Sequence, residues 1–578
     1  MSSFVKKVEN KILEAINKLG YDTDKVLLSN SSKPELGQFQ FNGVMAIAKK
    51  NGKNPVDLAN ALVNELKKDT CFKSLSVAGP GFINITFSDE YLLDYMNVCL
   101  NDFDNFVDVE NPKTIIIDYG GANAAKALHI GHMRSANIGE ALKRLALLFK
   151  NRVIGDVHLG DVGRQSGMVI SELQLEQPDL PYFKEDYTGC NEPLKLTIED
   201  LGRLYPSASN KAKEDEARME EVRRITALVD KGEKRYLDLW KKIVDISSIQ
   251  IKQVYDYLNC TFDLWEGELD SYKYVDDTIK VLKPHMYESE GAYVVDVKKE
   301  DDKLEIPPLI VIKTDGSTIY ATRDLATMHS RMTRFNPDEM WYFTDKRQGM
   351  YFEQCFRAAY KSGLVKEDTK LEFFGFGTMN GKDGKPFKTR DGGVMTLDSL
   401  IEMVKEVADT KLKDDIKGKE REDLVNKITV GILKFGDLLP VRNTDYNFDL
   451  EKFSSVEGKT GPYILYTAVR IKSIFNKLAN VGNEKITCIS SKEEENLIIK
   501  LIELTKVLNS AYEEKNTSVI CDYLFNLCNL YNKFYNEHNI VNEKDPRVKS
   551  SWIALSRLVY QVIEKLLDIL AIEIPDRM

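Results

Sequence analysis

The sequence predicts a multidomain α/β protein in which a Rossmann-type core lies between an N-terminal α+β domain and a C-terminal α-helical bundle. Three observations predict this arrangement. A helix and strand–turn–strand pattern occupies residues 1–108, an alternating strand–helix–strand pattern begins at 112, and residues 456–578 show helical spacing of Leu, Ile and Tyr almost throughout. With 578 residues, 43% of them hydrophobic, the chain is long enough for several domains.

The charge and cysteine content exclude several classes of protein. The net charge is −10, which argues against a general polyanion binder, so a nucleic-acid partner would have to be held by local basic patches. The eight cysteines form no Cys-x-x-Cys pair, so neither a zinc site nor a disulfide framework is indicated. No apolar run reaches membrane-spanning length and the N-terminus is not a signal peptide. We therefore expect a soluble, cytoplasmic protein without a membrane partner.

Residues 1–108 are predicted to form a small α+β accessory domain. Val8, Ile12 and Ile16 follow one helical stripe, residues 56–66 form a second, and residues 76–87 are typical of two strands joined by a turn. The domain contains a basic run at 49–53 and no recognisable catalytic set.

The core is predicted over residues 112–400. The β-branched run 113–118 reads as a strand, Gly120-Gly121 allows a sharp turn, and the helix that follows leads to a second strand at 152–158. Residues 199–258 are helical and heavily charged, which favours a solvated insertion over a dedicated binding face. The sheet pattern resumes at 292–296, 309–312 and 340–343 and closes near 371–374. A connecting helical region, 401–455, precedes the terminal bundle at 456–578.

Two short stretches carry chemistry. His129, Gly131 and His132 open the core's first helix, where free N–H groups and the positive helix pole favour phosphate. Lys385 and Lys388 lie in a loop bounded by Gly381 and Gly393, where lysines neutralise charge on a departing pyrophosphate. Each stretch alone is weak evidence, because the tetrapeptide occurs by chance and such a loop is usually a solvated turn.

Together, the two stretches match the two signatures of class I aminoacyl-tRNA synthetases. The surrounding sequence resembles arginyl-tRNA synthetase along the whole chain. The matching segments are 78–84, 125–135, 157–163, 319–324, 381–390, 457–463 and 572–578.

This resemblance implies ligation of L-arginine to tRNA(Arg) through an arginyl-adenylate. ATP with Mg²⁺ would be the co-substrate and no protein-bound metal, zinc included, would be needed. Class I relatives deliver the aminoacyl group to the terminal ribose 2′-OH. The N-terminal domain would contact the outer corner of the tRNA, the helical end would bind the anticodon, and a monomer is expected.

The resemblance also assigns site residues. His129, His132, Lys385, Lys388 and Lys126 would stabilise the transition state, although histidines at a helix start can merely cap it and Lys126 can face solvent. Gly131 would contact the phosphates of ATP. Gly160 and Asp161 would lie on the ribose side, and main-chain groups of Gly377, Thr378 and Met379 would recognise adenine.

On the arginine side, Asp324 and Glu268 would pair with the guanidinium, and the phenol of Tyr320 would line the pocket. Five N–H donors buried without acceptors would be costly, and two carboxylates explain selection against lysine. Asp118, Asn123 and Gln348 would hold the α-amino and carboxylate ends. Composition alone would predict that Asp324 and Glu268 are ordinary surface acids.

Two departures from the family pattern lie on the arginine side. Gly120-Gly121-Ala122 replaces a usual Ser-x-Pro, and Gly349-Met350-Tyr351 follows Gln348 where relatives often carry a histidine. Two alternatives stay open: a small-molecule nucleotidyltransferase, which would leave both flanking domains unexplained, and a non-catalytic paralogue that binds tRNA or arginine.

Overall fold

The computed structural model describes residues 3–23, 25–31, 33, 35–314, 316–385, 395–478 and 481–578. It confirms the predicted α/β class, with a parallel sheet in the middle of the chain and helices dominating its end. Lys388 lies outside the described residues. Within the described ranges, no helix is long and apolar enough to cross a membrane.

The N-terminal part is an antiparallel four-stranded sheet packed against helices. Its strand order is β1-β2-β4-β3. Between the first helix and the sheet, the buried ring of Phe87 meets those of Phe4 and Phe39 edge to face, an arrangement that aromatic pairs prefer. The elements are α1 (Phe4–Lys18), β1 (Leu28–Asn30), β2 (Phe39–Phe41), α2 (Val44–Lys50), α3 (Pro55–Leu66), β3 (Phe72–Ala78), β4 (Phe82–Phe87) and α4 (Asp89–Asn101).

The middle of the chain contains the predicted strands, helices and insertion. In chain order they are β5 (Thr114–Asp118), α5 (Ile130–Leu148), β6 (Arg152–Asp156), α6 (Arg164–Glu176), α7 (Ile198–Glu214), α8 (Glu216–Asp230), α9 (Lys234–Tyr257), α10 (Tyr272–Leu282), β7 (Met286–Ser289), β8 (Ala292–Val295), β9 (Leu309–Ile312), α11 (Tyr320–Phe335), β10 (Glu339–Tyr342), α12 (Gly349–Ser362), β11 (Lys370–Phe373) and β12 (Met379–Asn380).

The parallel sheet has the order β11-β10-β5-β6. From β5 the chain first adds β6 on one side and later adds β10 on the other, so its winding reverses between β5 and β10. Ligand crevices of open α/β sheets lie outside the carboxyl ends of the strands at such a reversal. The topology therefore places a binding site beyond Asp118 and Tyr342.

Two of the strands predicted for this sheet belong elsewhere. The strands at 292–295 and 309–312 pair antiparallel with each other, and β7 completes a separate three-stranded sheet. The prediction of one continuing sheet was wrong here because a short apolar run does not reveal which partner a strand pairs with. The predicted helical insertion is present as α7, α8 and α9, and it has its own buried cluster around Trp240.

The last part of the chain is helical. Its elements are α13 (Leu397–Thr410), α14 (Gly418–Leu438), β13 (Tyr446–Asn447), α15 (Leu450–Phe453), α16 (Gly461–Asn476), α17 (Lys492–Ile502), α18 (Leu504–Glu514), α19 (Ser518–Glu537) and α20 (Pro546–Ile569). One cluster of buried side chains is continuous from Phe87 through Ile117 and Trp341 of the parallel sheet to Leu524 and Leu558. The terminal helices are thus packed onto the sheet that carries the site.

Helix α5 is buried on nearly all sides, and Gly139 lets it approach the end of β5. A Cβ at Gly139 would lie 2.2 Å from the Tyr119 ring, and that ring is stacked on Phe262 with 4.5 Å between centroids. The Tyr119 hydroxyl also donates to the Thr261 carbonyl at 2.6 Å. The Tyr119 ring is therefore held in place and cannot move away from a methyl group added at position 139.

We expect Gly139→Ala to lower the Tm, with a loss of about 1–3 kcal/mol from overpacking. Gly202→Ala is the matched control, since Gly202 lies within α7 with nothing within 4 Å of a built Cβ. There the added methyl group should raise helix stability by roughly 0.5–1 kcal/mol. Thermal unfolding followed by circular dichroism measures both, and equal Tm values would contradict the close-packing argument.

Candidate active site

A cavity of about 420 Å³ lies at the predicted position, beyond the carboxyl ends of β5, β6 and β10. Most of the residues proposed from sequence line it. These are Asp118, Asn123, His129, Gly131, His132, Gly160, Glu268, Asp324 and Gln348.

The two histidines at the start of α5 have their protonation pattern set by the backbone. The Nδ1 atom of His132 accepts from the backbone N–H of His129 at 3.0 Å, and Nδ1 of His129 accepts from the N–H of Gly131 at 3.1 Å. Their rings stack with 3.8 Å between centroids. Because each Nδ1 is an acceptor, the proton of each neutral ring lies on Nε2. The helix start therefore presents two Nε2–H donors.

The electrostatic surroundings keep both rings neutral. Burial lowers the pKa of His132 to about 3, with additional lowering by His129 and by the charge of Lys126. Burial and Lys126 lower the pKa of His129 in the same way. At neutral pH these groups act as hydrogen-bond donors, and neither is charged.

The two described lysines of the predicted set lie outside the cavity wall. The ammonium of Lys126 lies over the Tyr205 ring of α7, 4.7 Å from its centroid. Lys385 is exposed, and its backbone N–H donates to Asp383 Oδ1 at 3.1 Å. Beyond the loop, Thr396 pairs with His129 and Leu397 N–H donates to the Leu128 carbonyl at 2.8 Å. The chain after the lysine loop thus returns to the start of α5.

Two glycines shape the cavity wall near the start of α5. A Cβ at Gly160 would meet Asn123 Oδ1 at 2.5 Å, so only glycine leaves room for that amide. Gly120 has φ +85°, and a Cβ there would lie 2.9 Å from Phe262. A serine at position 120, as the family pattern predicts, would be both strained and crowded. The departure therefore fits the local backbone of this chain.

The two carboxylates predicted to face a guanidinium lie close enough to interact. Burial raises the pKa of Glu268, Arg323 lowers it and the charge of Asp324 raises it again. Glu268 Oε2 accepts from Arg323 Nε at 2.5 Å. Asp324 accepts from the hydroxyl of Tyr351, the residue at the second departure from the family pattern. Tyr351 thus contacts one of the two carboxylates predicted to bind the guanidinium.

A buried arginine connects the acid at the end of β5 to that at the end of β6. Nη2 of Arg331 lies 2.7 Å from Asp118 Oδ2 and 2.6 Å from Asp156 Oδ2. Burial raises the pKa of Asp118 and Arg331 opposes that shift. Asp118, Asp156 and His158 are spaced closely enough to hold a metal ion, but the guanidinium already contacts both carboxylates. Arg331 therefore supplies the positive charge at this point.

Several predicted residues lie away from the cavity wall. Asp161 is buried beneath the turn at 267–269, where its Oδ1 accepts from Leu269 N–H at 3.0 Å. Tyr320 is 56% exposed, and its ring centroid is 4.9 Å from that of Tyr351. Asp161 thus supports the turn that carries Glu268, and its predicted contact with the ribose stays a prediction.

The predicted adenine strand uses most of its main-chain groups internally. The N–H of Gly377 donates to the Arg442 carbonyl at 3.0 Å, and that of Thr378 to Asp445 Oδ1 at 2.7 Å. Nη1 of Arg134 donates to the Gly377 carbonyl at 2.7 Å. The N–H groups of 377 and 378 therefore both have protein partners, and the adenine contact of this segment stays a prediction.

Sequence reasoning missed four residues of this region: Arg134, His158, Arg331 and Tyr351. Arg331 follows Asp324 by seven residues, two helical turns, so both lie on the same face of α11. The signal available in the sequence was this arginine, two helical turns after a carboxylate predicted to bind the substrate. In the sequence, His158 stands out only as part of the matching segment 157–163, and Tyr351 only as part of the departure at 349–351.

Three family models match the chain. The model described as tRNA synthetases class I (R), catalytic domain, covers residues 96–450. The DALR anticodon binding domain model covers 464–578, and the arginyl tRNA synthetase N terminal domain model covers 6–87.

Curated relatives match over the whole length. An arginine–tRNA ligase from Alkaliphilus oremlandii is 45% identical over 100% of both chains, and one from Agathobacter rectalis is 41% identical over 100% of both. Among solved structures, arginyl-tRNA synthetase from Plasmodium falciparum has a TM-score of 0.81 at 22% identity, and that from Thermus thermophilus 0.79 at 19%. Both cover 100% of each chain, and at such low identity they bear on the fold alone.

The catalytic-domain model spans more than half of the chain, and the curated relatives match from end to end. Substrates of this family are arginine, ATP and tRNA. The chain belongs to the class I arginyl-tRNA synthetase family and is an arginine–tRNA ligase.

Proposed function

We propose that the cavity activates L-arginine with the Nε2–H groups of His129 and His132 as donors to the phosphates of ATP. The observation that carries this assignment is the acceptor role of both Nδ1 atoms, which leaves a donor proton on Nε2 of two residues that line the cavity. The arginine carboxylate attacks the α-phosphorus and pyrophosphate leaves. Preorganised donors stabilise the charge that develops on the phosphate oxygens.

Three lysines supply positive charge around the leaving group in this proposal. Lys126 is close enough to lower the pKa of both histidines. Lys385 precedes, and Thr396 follows, the segment that carries Lys388, and Thr396 pairs with His129. Mg²⁺ enters with ATP as part of the substrate complex and neutralises phosphate charge. No protein-bound zinc has a role.

Adenine binding is assigned to the segment that begins at Gly377 and continues into β12. Parallel pairing with β13 uses the Thr378 and Asn380 carbonyls, which accept from Tyr446 and Phe448 N–H groups at 3.0 and 2.8 Å. Main-chain groups of Met379 point to the other edge of the strand, because successive residues of a strand alternate in direction. Met379 is therefore the proposed adenine contact, with Gly377 and Thr378 as its supports. Gly160 is proposed at the ribose.

The arginine side of the proposal uses acids and amides of the cavity. Asp324 and Glu268 accept from the guanidinium, while Asp118, Asn123 and Gln348 hold the α-amino and carboxylate ends. Tyr320 would close the pocket from its exposed position beside Tyr351. Asp161 would act indirectly, by fixing the turn that carries Glu268.

The flanking parts of the chain are proposed to hold tRNA(Arg). Residues 1–108 would contact its outer corner and residues 456–578 its anticodon, with 112–400 as the catalytic domain and 401–455 as the connection. The chain would work as a monomer in the cytoplasm.

ATP–pyrophosphate exchange across a panel of amino acids, with and without tRNA(Arg), tests this proposal. Lys385→Ala and Lys388→Ala should each lower the exchange rate about a hundredfold, since one lost charge-assisted contact to a transition state costs roughly 3 kcal/mol. Lys382→Ala is the matched control, because Lys382 of the same loop pairs with Asp449 at 3.2 Å. Near wild-type kcat in both variants would contradict the role of the lysine loop.

A further inference from the structure

His158 occupies an unusual position between the strand ends. It follows β6 with a φ of +39°, in the left-handed region that only a few per cent of non-glycine residues adopt. Within the described part of the chain, both ring nitrogens are buried and have no hydrogen-bond partner. Nε2 lies 3.7 Å from Asp324 Oδ1, the proposed guanidinium acceptor. The ring is thus held by its backbone beside an acid that the substrate is proposed to use.

Charged groups face His158 from every neighbouring element. The carboxylates are Asp118 on β5, Asp156 on β6, Asp324 on α11, and Glu268 and Asp161 around the turn at 267–269. The guanidinium of Arg331 lies between Asp118 and Asp156, and that of Arg323 pairs with Glu268. Burial raises the pKa of Asp161 to about 7. Besides Asp161, four carboxyl groups and two arginines therefore surround the ring, so acids outnumber arginines by two.

This excess favours a proton on His158 when the cavity holds no substrate. Burial lowers the pKa of His158, Asp324 and Asp118 raise it, Arg331 lowers it and Asp156 raises it, with a net rise to about 9. L-Arginine brings two positive groups, its guanidinium and its α-ammonium, toward Asp324 and Asp118. Once both are bound, a third positive charge on His158 is repelled by its new neighbours.

We propose that His158 is a positioning residue that balances Asp324 with a proton in the empty site and releases that proton when arginine binds. The proposal rests on the assignment of Asp324 as guanidinium acceptor. It explains why a histidine with unpartnered ring nitrogens lies in a strained backbone conformation beside that carboxylate. The substrate's charge replaces the proton's charge, so the acid is never left uncompensated in a buried site.

The sign of the pH dependence follows from this exchange. Below a pH of about 9 the free enzyme carries the proton and the arginine complex does not, so binding releases it. The affinity for arginine should therefore increase as pH rises, by up to about tenfold per pH unit, and level off above that value. The α-amino group of free arginine titrates in the same upper range, so measurements belong between about pH 6.5 and about pH 8.5.

Titration calorimetry of L-arginine into the full chain, with tRNA(Arg) present throughout, tests the exchange. Repeating it in buffers of different ionisation enthalpy gives the number of protons released. We expect about one proton for the wild type. At about pH 8.5, where Asp161 is already ionised, His158→Asn should release almost none and its affinity for arginine should change little with pH. Asparagine tolerates the left-handed backbone, so the loop is retained. His285→Asn, at a histidine outside the cavity wall, is the matched control and should behave as wild type.

Two results would overturn the proposal: a wild type that releases no proton, or a His158→Asn variant that releases as many as the wild type. His158→Gln provides a second non-titrating side chain if the asparagine variant unfolds, as judged by its Tm. Asp324→Asn separates the underlying assignment from the exchange. If Asp324→Asn bound arginine as tightly as wild type, the acceptor assignment itself would fail, whatever the proton count.

Discussion

His129→Asn is expected to lower the rate of arginyl-adenylate formation about a hundredfold while leaving the stability of the protein nearly unchanged. Asparagine is among the best N-cap residues, so it can replace the acceptor that His129 Nδ1 offers to Gly131. It has no group at the position of Nε2–H. Losing one preorganised donor to a transition state costs roughly 3 kcal/mol, which is the origin of the expected factor.

The same variant separates catalysis from helix capping. His129→Ala removes both functions and should also lose about 1 kcal/mol of stability through the missing cap. Single-turnover formation of arginyl-adenylate measures the chemical step, and thermal unfolding measures the cap. If His129→Asn formed adenylate at the wild-type rate, capping alone would explain the histidine.

The core of the fold follows from local patterns in the sequence. Strands β5 and β6 are β-branched runs on either side of a strongly helical segment, so their type and order are visible without a structure. Helix α1 was equally clear, because Val8, Ile12 and Ile16 repeat on one face and are all buried. Such elements are determined by their own side chains.

Strand partners and domain borders depend on contacts distant in sequence, which local patterns do not contain. The strands β8 and β9 look like members of the parallel sheet, yet β8 pairs antiparallel with β9 on one side and with β7 on the other. The proposed border at residue 456 stays a prediction, and the buried cluster that joins Ile117 to Leu558 crosses it. Deleting the terminal helices would expose that cluster, so point variants of the full chain are the better probes.

The site was predicted where motifs specify chemistry and missed where partners are brought together by folding. His129 and His132 were identified from one tetrapeptide. The pairing of Arg331 with Asp118 spans 213 positions in the chain, and its pairing with Asp156 spans 175. Neither contact leaves a local signal. The same holds for Tyr351 and Asp324, which are adjacent only because α11 and α12 pack together.

Asp324→Asn should raise the KM for arginine about a hundredfold and leave the KM for ATP nearly unchanged. The amide keeps the shape of the carboxylate, but it replaces an anionic acceptor with a neutral group that also donates. A guanidinium in a largely desolvated pocket then loses a charged partner, at a cost of roughly 3 kcal/mol. ATP binds at the other end of the cavity, around His129 and Met379 in the proposed arrangement, so its KM reports on the specificity of the effect.

Tyr351→Phe is the matched control for this variant. It removes the hydroxyl that donates to Asp324 and retains the charge, so the KM for arginine should rise only a few-fold. Steady-state aminoacylation with either substrate varied gives both constants. Equal losses for arginine and ATP in Asp324→Asn would place this carboxylate in a structural role, since a residue that only supports the fold has no reason to distinguish the two substrates.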